Sequence, residues 1–212
     1  MNPREALAVH PAAGNPDEIY AAIARSHSIL RGHFALRREL HIDTALRVRA
    51  IGRDPDALDV IARALGALAG WSWDGAKVLS PESAGFFVGA AIARRHGLEH
   101  AVVATDARRL PTSEVTAGHL GPRDRVVLVN DVGSTGAGLE PMLAAVERAG
   151  AEPLGVLLFA VVGAETFAAW CNQRGLPGHY LTIARWREVI PGAATCAGCA
   201  EGLPLVPVTE FS

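Results

Sequence analysis

Lysine is almost missing from this chain: Lys77 is the only one in 212 residues, so nearly all positive charge is arginine. That leaves planar guanidinium forks, suited to carboxylates and phosphates, where a compact ammonium would otherwise serve. The formal net charge of −2 gives no basic footprint for nucleic acid. Cysteine is scarce, and three is an odd number, which argues against a disulfide framework. No apolar run reaches the length of a membrane span. The opening MNPREALAVHPAAG lacks a charged start followed by an apolar core, so no signal peptide is expected. Internal repeats and low-complexity segments are absent as well. The chain therefore reads as cytoplasmic, with a loose N-terminal arm over residues 1–14 and one domain over 15–212.

What is present is organised around Arg125 to Leu139, RVVLVNDVGSTGAGL. Val126 to Val129 reads as a buried central strand of a parallel sheet. Asp131 stands at its carboxyl end, where open α/β sheets bind ligands. Gly133-Ser134-Thr135-Gly136-Ala137-Gly138 follows directly, small enough for the backbone to turn sharply and approach a ligand. A helical run from Leu139 to Ala149 is stopped by Gly150. Backbone amides and the hydroxyls of Ser134 and Thr135 thus gather at a helix N-terminus, an anion site suited to a phosphate. A P-loop is excluded because no Gly-Lys-Ser/Thr is present. The spacing Gly133-x-x-Gly136-x-Gly138 also departs from the dinucleotide fingerprint. An ordinary strand–turn–helix with a glycine-rich turn stays open, beside a phosphate loop of a third kind.

Elsewhere, Asn15-Pro16-Asp17-Glu18 starts a helix, and His41 to Arg49 suits a strand or hairpin. Asp54-Pro55 opens a helix that Gly70 stops. Lys77 to Leu79 is a short strand feeding Ser80 to Gly85, then a helix from Phe86 to His96, then a strand from His100 to Ala104. Thr105 to Asp124 is long and polar, the kind of loop that is usually functional. Leu154 to Val162 is the next strand and Glu165 to Arg174 a helix, with a weak strand at Tyr180 to Ile183. The order from Lys77 onward is that of a parallel α/β sheet with helices on its faces.

Asn130-Asp131 followed by the small-residue loop resembles the phosphoribosyl-pyrophosphate (PRPP) motif of type I phosphoribosyltransferases. Gly32-His33-Phe34-Ala35-Leu36 with His41 resembles a stretch near the start of orotate phosphoribosyltransferases. Ser80-Pro81-Glu82-Ser83-Ala84-Gly85 stands where that family has its pyrophosphate loop. Glu201-Gly202-Leu203-Pro204-Leu205 is similar to a late family segment, preceded in some members by a Cys-x-x-Cys. The resemblance spans about residues 17–206. It implies a type I phosphoribosyltransferase fold, a parallel sheet flanked by helices, with a small hood from about 30–50 and 176–206. It also implies a homodimer in which a nitrogenous base displaces pyrophosphate from PRPP with magnesium. By the same resemblance, Asn130 and Asp131 face the ribose hydroxyls. Ser134, Thr135, Gly136, Ala137 and Gly138 hold the 5′-phosphate, and Ser83, Ala84 and Gly85 approach pyrophosphate. Arg37 stands where the family has a pyrophosphate-reaching lysine. Arg108 and Arg109 replace the lysines of a loop that closes over the neighbouring subunit's site.

The chemistry suits these residue types. A ribosyl oxocarbenium-like transition state with departing pyrophosphate needs positioning and charge stabilisation rather than a nucleophile. Asp131 can hold ribose hydroxyls near the developing cation. Several positions depart from the family pattern: Asn130 replaces an acid and Ala137 a threonine. The place of the arginine that grips the orotate carboxylate reads Ala160-Val161-Val162-Gly163-Ala164. A carboxylated base then lacks a partner, so the expected acceptor is a small heterocyclic base other than orotate. Orotate phosphoribosyltransferase itself and a non-catalytic PRPP or nucleotide sensor are the alternatives.

Cys196-Ala197-Gly198-Cys199 is half of a zinc pattern, with Cys171 and His179 as completing ligands. A single Cys-x-x-Cys reads first as two thiols in a tail. His27, His33, His41, His96, His100 and His119 show no metal-type spacing. Of Trp71 and Trp73, one is expected to pack and the other to meet the surface or a dimer contact.

Overall fold

Val126, Val127, Leu128 and Val129 are fully buried, and consecutive side chains along a strand must then find apolar cover on both sides. The computed structural model, which describes residues 2–35, 40–186 and 188–208, provides that cover. Its elements in chain order are α1 (Pro3–Ala6), β1 (Leu7–Val9), α2 (Pro16–Arg25), β2 (Ile29–Ala35), β3 (His41–Leu46), α3 (Val48–Ile51), α4 (Pro55–Leu68), β4 (Ala76–Pro81), α5 (Gly85–His96), β5 (Glu99–Thr105), β6 (Pro111–Ala117), β7 (Arg125–Gly133), α6 (Glu140–Arg148), β8 (Glu152–Val161), α7 (Ala164–Gln173), β9 (Gly178–Ala184), α8 (Ala197–Ala200) and β10 (Leu205–Pro207). Seven strands form the main sheet in the order β1-β9-β8-β7-β4-β5-β6. The inner pairings β4–β5, β4–β7, β7–β8 and β8–β9 are parallel, and the two edge strands are antiparallel. Val127, Val129, Leu157 and Phe159 pack under apolar residues of α2, α4 and α5. Val126, Leu128, Val156 and Leu158 face α6 and α7. The alternation of strand side chains thus splits the core into two layers, one on each face of the sheet. No helix of the described residues is long and apolar enough to cross a membrane.

Helix boundaries follow from local chemistry. Asn15 and Asp54 cap α2 and α4, their side chains accepting from the amides of Asp17 and Ala57, each before a proline in the first turn. Lys77, the second residue of β4, pairs with Glu99 and Asp124 at 2.7 and 3.0 Å, which raises its pKa. The sole lysine thus ties the amino ends of the strands together, opposite the ligand end.

Four expectations are corrected. The N-terminal 14 residues are not a loose arm. Ala6 and Leu7 are buried, β1 pairs antiparallel with β9, and this covers an otherwise open sheet edge. The stretch from Thr105 to Asp124 is not one long loop, because β6 folds back on β5 as a hairpin. Its polar residues disguised it: β6 is a mostly exposed edge strand whose proline takes the first position. The hood is a separate three-stranded sheet in the order β10-β2-β3, but β9, inside the stretch assigned to it, belongs to the main sheet. Trp71 and Trp73 both pack intramolecularly, Trp71 against Gly155 and Trp73 stacked on His96 at 4.1 Å.

His100 on β5 sits 2.8 Å from the Ser80 hydroxyl, and burial pushes its pKa down from 6.5 to about 4. Burial lowers His96 and His179 too. A histidine held neutral in the fold but protonated when unfolded costs stability as pH falls. We predict that the urea midpoint declines as pH drops from about 6.5 toward 4, and that His100→Gln flattens part of that decline. An unchanged slope in the variant counts against this assignment.

Candidate active site

The strand order reverses between β4 and β7. From β4 the chain steps outward to β5, and from β7 it steps the opposite way to β8. The carboxyl ends of β4 and β7 therefore flank a crevice that no crossover helix covers, the usual ligand position in such sheets. A cavity of about 580 Å³ opens there, within the normal range for small-molecule sites. Ser83 and Ala84 line it from the loop after β4, and Asn130, Asp131 and Gly133 to Gly138 from the loop after β7. Opposite them, Ile42, Ala45, Leu46, Arg49, Trp186, Glu188, Pro207 and Val208 form a largely apolar wall. Arg109, Leu110 and Pro111 of the β5–β6 hairpin close one side.

The glycine-rich loop has the form of an anion cradle. The amides of Leu139 and Glu140 both donate to the Gly136 carbonyl, closing the turn ahead of α6. Gly136 has φ +80°, and a Cβ there would lie 2.2 Å from the Trp170 ring. Only glycine satisfies both conditions. Trp170 is itself fixed: its indole N–H donates to Glu140 at 2.8 Å, and the Arg174 guanidinium lies 4.4 Å over its ring. Arg174 also pairs with Glu140. The loop is thus backed by a bridge between the start of α6 and the end of α7.

Asn130 is buried, and its side-chain oxygen accepts from the Asp131 amide at 2.8 Å. That oxygen lies 2.5 Å from where a Cβ on Gly85 would stand, and Nδ2 lies 3.8 Å from the corresponding point on Gly138. Asn130 therefore spaces the two loops apart, whereas the partly exposed Asp131 lines the open cavity. Gly85 contributes by letting α5 pack onto Asn130. Arg109 reaches the cavity wall with φ +59°. Arg108 does not line it and lies in the hairpin turn, its amide bonded to Asp106. Arg37 lies outside the described residues.

No protein-family model matches the chain. Among curated proteins, orotate phosphoribosyltransferase from Novosphingobium aromaticivorans is 31% identical over 139 residues, covering 64% of this chain and 70% of its own length. The chain belongs to the type I phosphoribosyltransferase family. Adenine phosphoribosyltransferase from Streptomyces coelicolor is 34% identical over 125 residues, covering 52% of this chain and 68% of its own. The solved orotate phosphoribosyltransferase of Mycobacterium tuberculosis superposes with TM-score 0.60 over 78% of this chain and 95% of that one, at 22% identity, which speaks to the fold. This phosphoribosyltransferase is thus an enzyme of the glycosyltransferase type.

The two loops singled out in the sequence both line the cavity, as do Arg49, Trp186 and Glu188, which sequence reasoning did not name. They reach the cavity from the hood side through tertiary packing, and no local motif marks them. The tail cysteines were given the wrong companions. Cys171 packs against Gly178 and His179 lies 5.5 Å from Trp71, whereas Cys196 and Cys199 adjoin His33 and His41.

Hydrogen bonds to a charged group contribute about 1.5–3 kcal/mol each. Thr135→Val is therefore expected to weaken binding of a phosphate-bearing ligand by roughly tenfold or more with little change in thermal stability. Gly136→Ala should instead destabilise the fold by more than about 1 kcal/mol, through positive φ and the Trp170 contact. Isothermal titration and chemical denaturation separate the two. Equal ligand affinity in Thr135→Val and the parent would remove the hydroxyl from the site.

Proposed function

We propose that this phosphoribosyltransferase transfers ribose 5-phosphate from PRPP to a ring nitrogen of a heterocyclic base other than orotate, with release of pyrophosphate. The observation that carries the reading is that one cavity joins a phosphate cradle, a carboxylate and an apolar wall. Residues 134–138 receive the 5′-phosphate, Asp131 accepts hydrogen bonds from the ribose hydroxyls, and Ser83 and Ala84 border the pyrophosphate. The anomeric carbon–oxygen bond breaks with its electron pair leaving on pyrophosphate. The base nitrogen lone pair then forms the new bond, and the proton it sheds passes to solvent. Between these events the sugar carries positive charge, which the Asp131 carboxylate offsets. Arg109 offers its guanidinium to the departing phosphates.

Magnesium fits this donor set. The cavity presents the Asp131 carboxylate, the Ser83 hydroxyl and backbone oxygens, all hard ligands. Magnesium takes one or two carboxylates and completes its shell with substrate phosphates and water. Bound with pyrophosphate, it would neutralise charge on the leaving group. A homodimer is part of the same reading. Arg108 does not line its own cavity, which suits a hairpin serving a neighbouring copy. Light scattering is expected to give twice the chain mass, and a monomer at assay concentration would remove that element.

Ala45, Leu46, Val132, Val162, Trp186 and Val208 favour a neutral, planar acceptor. A second reading has its own support. Arg49 lines the same cavity, and its Nε is buried without a hydrogen-bond partner among the described residues. A carboxylated base such as orotate would pair with the Arg49 guanidinium at the cavity wall. We expect PRPP binding but negligible nucleotide formation from orotate, followed by absorbance. Turnover in the usual range of about 1–10³ per second, lost on Arg49→Met, assigns orotate and overturns the neutral-acceptor reading.

A further inference from the structure

Away from the cavity, four potential metal ligands converge: His33 on β2, His41 at the start of β3, Cys196 just before α8 and Cys199 within it. Their ligand atoms all lie within 4.8 Å of one another, and three of the four residues are buried. The Cys196 and Cys199 sulfurs lie 3.4 and 3.6 Å from His33 Nε2, and the Cys199 sulfur lies 3.3 Å from His41 Nδ1. The two ring nitrogens are 2.8 Å apart. Bond lengths of about 2.0–2.1 Å to nitrogen and 2.3 Å to sulfur give a zinc tetrahedron edges of about 3.3 Å N–N and 3.6 Å N–S. The N–N contact and the three N–S contacts fall at or somewhat below those edges, and the remaining two lie within 4.8 Å.

Four further observations point the same way. His33 Nδ1 lies 2.9 Å from the Leu203 carbonyl. That bond takes the ring proton on Nδ1 and leaves Nε2 as a bare lone pair aimed into the cluster, the usual arrangement behind a metal-binding histidine. One lone pair on Nε2 then faces three neighbours, His41 and both sulfurs. It can accept one hydrogen from them, whereas a central cation takes a lone pair from each residue. Finally, the Cys196–Cys199 turn lies so close to the ring that a Cβ at Gly198 would stand 2.5 Å from His33 Cγ. His33 itself falls in the irregular register between Arg31 and Phe34, and such a bulge re-aims a strand side chain.

We propose that His33, His41, Cys196 and Cys199 form a structural zinc site that staples the hood. Two nitrogens and two thiolates in a closed tetrahedron with no open position suit Zn²⁺ held for structure rather than catalysis. The ion clamps the segment from Cys196 to Leu203 onto the β2–β3 hairpin. β10, which follows directly, pairs with β2 and delivers Pro207 and Val208 to the acceptor wall. The zinc therefore sets the shape of the cavity from behind without touching substrate.

The full chain, purified without chelator or metal-affinity resin, should carry about one zinc per chain by mass spectrometry of the metal. Titrating thiols with a mercurial should release it in step, and Co²⁺ replacing it should give thiolate charge-transfer and tetrahedral d–d bands. Cys199→Ala and His41→Ala should lose zinc and lower Tm, whereas Cys171→Ala should keep it. Should those variants fail to fold, the mercurial and cobalt titrations on the unaltered chain decide. Metal-free protein that binds neither Zn²⁺ nor Co²⁺, a Cys196–Cys199 disulfide in the protein as isolated, or full zinc retention in folded Cys199→Ala would each overturn the proposal. None of these readouts depends on enzyme activity.

Discussion

The contact between Gly136 and the Trp170 indole sets the geometry on which the site depends. It joins a backbone that only glycine adopts to an aromatic plane fixed by Glu140 and Arg174. Were the tryptophan free to move, the loop could relax away from the conformation it holds. Because it is held, the order of the cradle is met at folding rather than at binding, which is the general basis of preorganised recognition. The exposed Glu140–Arg174 pair contributes little by itself. Its value lies in orienting a buried ring.

That cradle works only because the sheet delivers a second loop beside it. Asn130 stands between them, accepting from the Asp131 amide on one side and packing on Gly85 on the other. An acid at that position would place a charge in a buried gap, near the carboxylate of Asp131. An amide fills the same volume without charge and keeps the loops at fixed separation. The neutral residue here is compatible with a site in which one carboxylate faces the sugar.

The glycine-rich side of the cavity was legible in the sequence because its pattern is local. A buried strand, small residues and a helix start are contiguous, so Ser134 to Gly138 declare themselves without tertiary information. The apolar wall opposite was not legible. Arg49 and Trp186 come from a short helix and an irregular segment far apart in the chain, and they meet only through the hood. The polar β6 hid because edge strands avoid hydrophobic patterning. The zinc-type cluster hid because its halves are more than a hundred residues apart. Gly198 gives no warning in isolation, since its need appears only when the His33 ring is in place.

The hood also shapes how the molecule is made. The hydrogen bond from His33 to Leu203 spans 170 residues, and loop-closure entropy and folding time both grow with such separations. The strands around the glycine-rich loop are complete by Val161, whereas the apolar wall waits for β10. A nascent chain thus passes through a stage with an anion cradle but no acceptor chamber. During that interval β2 is without its third strand, and an unpaired strand edge of this kind invites aggregation.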